Sequence, residues 1–331
     1  MYDLTVFTAL LTNDAKRWRA GGARGQALRM TSAFQRDSSV VPDPSVAGRY
    51  LSDIPSTWSA PNVPQGGISL ATATRAMGDA LGDTRMRLRS VSCVFAAPVE
   101  SGPSEIDVTV LRQGRSVAQV TATMRTPGRE AGLTAIAVFG ASRPGFEFTD
   151  LTPPAFPDPA SLPRFRDGIP DGVEWDEDFG PFPIWEHHIE GRPVVGHPPW
   201  EHYVPTTSER QNLQRFDETP RHADGSIDPL ALVCLCDMMP GAVAQRLGQP
   251  IDHDWYGPSA DLTVHITGTA RSEYLLTRNF ARRATDGYAS VEIELWDPTE
   301  GLVAYGTQTM VFTFANGLPE GEQRLPLDLR S

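Results

Sequence analysis

Residues 229–247 read PLALVCLCDMMPGAVAQRL, and this stretch decides the fold. Leu230, Leu232, Val233, Leu235, Met238, Met239 and Val243 fall on every side of a helix rather than along one stripe. That pattern predicts a helix from Pro229 to Leu247 that is buried all round. Such a helix needs a sheet wrapped around it, and the residues that follow supply strands. Asp261 to Ile266 is strand-like, Ala289 to Trp296 alternates in polarity, Pro298 to Gly301 turns the chain, and Gly306 to Phe312 returns it, so the segment ends in a long hairpin.

The same arrangement occurs earlier in the chain. A helix is expected from about Gly67 to Leu81, then a strand from Leu88 to Phe95, then Val117 to Met124, a turn over Thr126 to Glu130, and a closing strand from Leu133 to Phe139. Gly114, Gly128 and Phe139 recur as Gly287, Gly301 and Phe312, always 173 positions further on. A constant register over three anchors marks two copies of one helix-plus-meander unit.

Composition narrows the function. With 41 acidic against 29 basic residues the net charge is −12, the wrong sign for a protein that tracks a nucleic-acid backbone or binds membranes through a basic patch. Hydrophobic residues make up 40% and charged residues 21%, the balance of a globular protein, and no membrane span is expected. Lys16 is the only lysine, so a phosphate-cradling Gly-Lys-Ser/Thr loop and a Schiff-base lysine both drop out. Neither the Gly-x-Ser-x-Gly elbow of serine hydrolases nor a Gly-x-Gly-x-x-Gly dinucleotide loop is present. Cys93, Cys234 and Cys236 form an odd, sparse set, which argues for a reducing compartment; a cytoplasmic location is expected.

Proline marks the organisation. Pro153, Pro154, Pro157, Pro159, Pro163, Pro170 and Pro181 interrupt an acidic stretch that can hold neither a helix nor a central strand. The expected boundaries are an N-terminal extension over 1–43, a first unit over 44–143, a proline-rich linker over 144–185, a second unit over 186–317 and a tail over 318–331. Within the extension, Thr5 to Leu11 is too short and lacks the basic lead of an export signal, and Met30 could itself be a start.

The motifs resemble those of the bacterial acyl-CoA thioesterase II family. In the first unit these are Trp58 to Gly67 (WSAPNVPQGG), Phe95 to Pro98, and Leu111-Arg112-x-Gly114-Arg115-Ser116, followed by Ile189-Glu190-x-Arg192. The second unit adds Leu235-Cys236-Asp237, Ser259-Ala260-Asp261-Leu262, Glu273-Tyr274-Leu275-Leu276, Asp286-Gly287-Tyr288 and Gln308. The likeness spans roughly 44–317 and rests on order and spacing. It implies an α+β double hot-dog, two tandem helix-wrapped antiparallel sheets, acting on acyl-CoA without a cofactor or metal. It also implies that Asp237, Ser259 and Gln308 hold the attacking water. Ser259 stands where the family's better-known members carry Thr, which keeps the hydroxyl and loses a stiff rotamer.

The residues themselves agree with part of this. A carboxylate inside an apolar helix is costly unless paired or shifted in pKa, which favours a catalytic Asp237; the alternative is that it accepts hydrogen bonds freed where Pro240 interrupts the helix. Gln308 has Ala135 as its repeat partner, so the polar site belongs to the second unit. Gly66 and Gly67, at the start of the first helix, offer backbone N–H groups for an oxyanion, though paired glycines there also serve close packing.

Other clusters read as structure. His187, His188, His197 and His202 lie among prolines without zinc-site spacing, and Cys234 and Cys236 face different sides of a helix. Arg112, Arg115, Arg282 and Arg283 are weak candidates for the phosphates of coenzyme A. A non-catalytic acyl-CoA or acyl-chain binding protein is the alternative reading. A hot-dog hydratase is disfavoured by the lack of an Asp-x4-Asn-x2-His arrangement. The sequence leaves acyl-chain length and a homo-oligomer open.

Overall fold

In the computed structural model the described residues are 32–167, 182–197, 201, 203–248 and 255–314, all within one unit that begins at Ser32. The first half runs α1 (Ala33–Asp37), β1 (Val41–Pro42), β2 (Arg49–Ile54), α2 (Gly66–Leu81), β3 (Arg87–Phe95), β4 (Gly102–Gln113), β5 (Val117–Arg125) and β6 (Leu133–Gly140). The second runs α3 (Pro183–His187), β7 (Ile189–Val195), β8 (Arg210–Phe216), α4 (Pro229–Cys236), α5 (Pro240–Leu247), β9 (Trp255–Tyr256), β10 (Asp261–Ile266), β11 (Leu275–Thr285), β12 (Tyr288–Asp297), β13 (Gly301–Val311) and β14 (Thr313–Phe314).

Twelve strands form one continuous antiparallel sheet in the order β1-β2-β4-β5-β6-β3-β10-β13-β12-β11-β8-β7. The halves meet where β3 pairs with β10, and Val91 lies opposite Val264. Those two residues are themselves 173 positions apart. The repeat therefore maps this central pair onto itself, and an approximate two-fold axis passes between them. Alternation, reset by a bulge between Leu88 and Ser90, buries Leu88, Val91 and Cys93 of β3 and Leu262 and Val264 of β10 in the core, while Val94 faces outward.

The helices follow a different register. Gly66 and Pro229, the two helix starts, are 163 apart, so the extra residues of the second unit fall between its helices and β10. The start of α2 lies on the end of α4, where Gln65 Nε2 donates to the carbonyls of Cys234 (3.3 Å) and Asp237 (2.9 Å). At the opposite corner, Asp228 at the start of α4 pairs with Arg75 of α2 at 3.0 Å. The two helices thus lie antiparallel, and Leu230 through Cys236 are all buried, as an apolar stretch enclosed by sheet should be.

Two expectations are corrected. The helix over 229–247 is not continuous: Asp237 caps α4 with φ −88° and ψ 40°, and α5 restarts at Pro240. Pro240 has no N–H to give the carbonyl four residues back, so the helix opens at this point. Likewise, 32–43 are part of the body rather than a detached extension. Phe34 on α1 is 1% exposed, tilted against Phe216 and edge-on to Trp58, and Trp58 Nε1 donates to Asp37 Oδ2 at 2.9 Å. Part of the proline-rich stretch is also seated: Arg192 Nη1 donates to the carbonyls of Pro159 and Leu162, both at 2.7 Å. The extension over 1–31, part of the linker and the tail over 318–331 lie outside the described residues.

Truncating a fully buried aromatic ring leaves a cavity as well as losing its transfer energy. Phe34→Ala is expected to lower unfolding free energy by about 3–5 kcal/mol in denaturant titration. A detached segment would give no change.

Candidate active site

The break between α4 and α5 turns Asp237 out of helical geometry and aims its carboxylate at the N-terminus of α2. Gly67 N donates to Asp237 Oδ2 at 2.8 Å. That N–H is one of the unpartnered donors at a helix start, where the helix dipole also favours an anion. On the other oxygen, Gln308 Nε2 donates to Oδ1 at 3.0 Å and Ser259 Oγ at 3.2 Å. Gln308 and Ser259 also contact each other. The three residues singled out in the second unit therefore converge, with a fourth contact from the first unit.

Each is placed by its element. Gln308 occupies an inward position of β13 between Gly306 and Met310 and is 3% exposed. Ser259 is held by pairing with β13: it bridges Met310, and Ala260 N donates to the Thr309 carbonyl at 2.8 Å. The two glycines permit the approach. A Cβ on Gly67 would lie 2.8 Å from the Cys234 carbonyl oxygen and 2.9 Å from Asp237 Cβ, and one on Gly66 would lie 2.7 Å from the Phe95 ring. Only glycine lets the start of α2 lie this close to Asp237.

The Gly67 N–H, expected to serve an oxyanion, donates to the Asp237 carboxylate in this structure, so Gly67 anchors Asp237.

Burial pushes the Asp237 carboxyl up to about 6, because an anion is poorly solvated there; the donors from Gly67, Ser259, Gln308 and Gly66 pull the other way and do not cancel the effect. Cys93, Cys234 and Cys236 are all pushed up by burial, with Asp237 adding to it, so none is a ready thiolate nucleophile.

Gln65 is a site residue that sequence reasoning missed. Besides its two donations to the end of α4, its Oε1 accepts from Cys234 Sγ at 3.1 Å. The available signal was its position: an amide just before the glycine pair, at the cap of α2, making no capping bond of its own. Asn279 was also missed; its Nδ2 donates to the Met238 carbonyl at 2.9 Å and holds the residue that follows Asp237.

The corner related by the approximate two-fold has a different content. Ala135 stands in place of Gln308, and Arg75 is paired with Asp228 while its Nη2 donates to Ser38 Oγ at 2.9 Å. An ion pair and the end of α1 fill that corner. Among the described residues no group of three His, Cys, Asp or Glu is placed to hold a metal. His188 instead stacks on Trp58 with ring centroids 3.8 Å apart. Arg282 is tied to Glu292.

Two family profiles match this chain: an acyl-CoA thioesterase N-terminal domain over 54–140 and an acyl-CoA thioesterase C-terminal domain over 154–312. The chain belongs to the acyl-CoA thioesterase family. No curated protein matches this family member by sequence. Among solved structures it is similar to a hot dog fold protein of unknown function from Alicyclobacillus acidocaldarius, with 23% identity, TM-score 0.70, and coverage of 86% of this chain and 99% of that one. It is also similar to the acyl-CoA thioesterase II TesB2 of Mycobacterium marinum, with 18% identity, TM-score 0.65, and coverage of 88% and 100%. These likenesses establish the double hot-dog fold.

Two outcomes follow for this family member. Gly67→Ala should displace Asp237 or the start of α2, costing about 1–3 kcal/mol in denaturant titration, as overpacking does. The raised carboxyl also sets a sign: the folded state holds this proton more tightly than the unfolded state, so the contribution of Asp237 to stability is fully present below about pH 4 and is lost as pH rises through about 6. The melting temperature of wild type relative to Asp237→Asn should therefore rise on acidification from pH 7 to pH 5, and an unchanged difference would remove the raised pKa.

Proposed function

We propose that this protein hydrolyses acyl-CoA thioesters, with Asp237 as general base and with Ser259 and Gln308 holding the attacking water. The observation that carries the reading is the convergence of an Asp, a Ser and a Gln on one buried point, in a chain of the acyl-CoA thioesterase family. In this mechanism water attacks the thioester carbonyl carbon as Asp237 accepts one of its protons. The tetrahedral intermediate then collapses, the C–S bond breaks, and the coenzyme A thiolate takes the proton back from Asp237. The products are a carboxylic acid and free coenzyme A, and neither a covalent acyl-enzyme nor a cofactor is needed.

The raised pKa suits that task. A base works best with a pKa near the working pH, and a carboxyl at about 6 is ionised at neutrality yet more basic than an exposed Asp. Gly67 assists by fixing the second oxygen, which leaves Oδ1 beside Ser259 and Gln308 as the atom that meets water. Gln308 Oε1, buried and without a partner among the described residues, is an acceptor for that water's other hydrogen.

Thiol release from acyl-CoAs should fall by about 10² to 10⁴ in Asp237→Asn, the usual share of general acid–base catalysis. In wild type, kcat/KM should decline below about pH 6, where the base becomes protonated. Wild-type turnover by Asp237→Asn would refute the assignment. Binding of acyl-CoA with no thiol release from the wild type would replace it with the binding-protein reading.

A further inference from the structure

One part of the core is polar. Asn212 and Gln214 on β8 and Thr277 and Asn279 on β11 share one face of the sheet, with Thr277 opposite Asn212 and Leu275 opposite Gln214. Phe216 and Leu275, on the same face, belong to the core around the helices, whereas Leu213 and Leu276 lie on the other face against Phe156 and Leu162. The polar row is therefore on the helix side. Gln214, Thr277 and Asn279 are 0% exposed and Asn212 is 5% exposed. Among the described residues, neither Oε1 nor Nε2 of Gln214 has a partner, and Oδ1 of Asn212 and Oδ1 of Asn279 have none. Buried polar atoms are normally satisfied, so four unmatched atoms along one face need an explanation.

The row begins at the catalytic residue. Asn279 is bonded to the Met238 carbonyl, next to Asp237, and from there the face runs along β11 to Leu275, opposite Gln214, a distance of about 14 Å. Of the two arms of an acyl-CoA, the coenzyme A arm carries phosphates that must stay hydrated or be paired, so a wall buried beside the helices faces the acyl arm. A plain hydrocarbon there would strip water from the amides and give nothing back. A hydroxyl both donates and accepts, and so suits three unmatched oxygens and one unmatched N–H group.

We infer that the acyl group taken by this site carries hydroxyl substituents that hydrogen-bond the row formed by Asn212, Gln214 and Asn279. The inference rests on the thioesterase reading above and adds the class of acyl group.

The test measures kcat/KM for acyl-CoAs of matched length that are unsubstituted, hydroxylated near the thioester, hydroxylated at the far end, or carboxylated at the far end. Dissociation constants for the same panel are measured on Asp237→Asn, so that binding is read without turnover. A hydroxylated chain should be preferred over the unsubstituted one by at least about tenfold, and Gln214→Leu should lower kcat/KM for the hydroxylated chain by about tenfold more than for the unsubstituted one. Gln214→Met repeats the test should the leucine variant fold poorly. The inference is overturned if the unsubstituted or carboxylated chain is preferred, as it would be were the row merely hydrated, or if Gln214→Leu slows every substrate equally. Selective binding of the hydroxylated chain without thiol release would sink the hydrolase reading and keep the assignment of the polar row. Absence of both binding and turnover across the panel would sink both.

Discussion

A single hydrogen bond, from the Gly67 amide of one half to the Asp237 carboxylate of the other, is the contact around which the site is built. It requires the start of α2 and the end of α4 to meet, a break in the helix to turn the carboxylate toward α2, and two glycines to let the backbones approach. It also reconciles an anion with a buried position: helix-start donors offset part of the desolvation cost, and the remainder appears as a carboxyl raised to about 6.

The approximate two-fold explains why such a contact can exist and why its counterpart differs. Val91 opposite Val264 fixes the axis, and antiparallel helices bring each helix start to the other's far portion. At one corner this yields Gly67 on Asp237, with Gln308 below. At the other it yields Asp228 on Arg75, with Ala135 below and Ser38 bonded to the same guanidinium. A buried pair with both partners present is tolerable, and losing either one would strand a charge, so that corner is committed to structure. Duplication supplied two equivalent corners, and divergence left the acidic, amide-bearing chemistry in one of them.

Much of the sheet was legible because it depends on local pattern. Period-two alternation and glycine turns mark β5, β6, β12 and β13, and the 173-residue register follows from them. Asp237, Ser259 and Gln308 were legible through family resemblance, with Ala135 against Gln308 pointing to the second unit. Three features were hidden for physical reasons. The break at Asp237 depends on Pro240, three residues further on, whose missing N–H frees the Cys236 carbonyl; the proline is visible in the sequence, but how far the chain leaves the helix at Asp237 is not. The role of α1 depends on Phe34 meeting Trp58 and Phe216, contacts far apart in sequence. The destination of the Gly67 N–H depends on two helices crossing, which no spacing along one strand of sequence encodes.

The most direct test of this account is a carbon-13 NMR titration of the Asp237 carboxyl, assigned by its disappearance in Asp237→Asn. The account predicts a carboxyl that titrates near pH 6 in the wild type and whose resonance shifts in Gly67→Ala, where the anchoring amide is displaced. A resonance that titrates near 4, as an exposed Asp does, and is indifferent to residue 67 would contradict it.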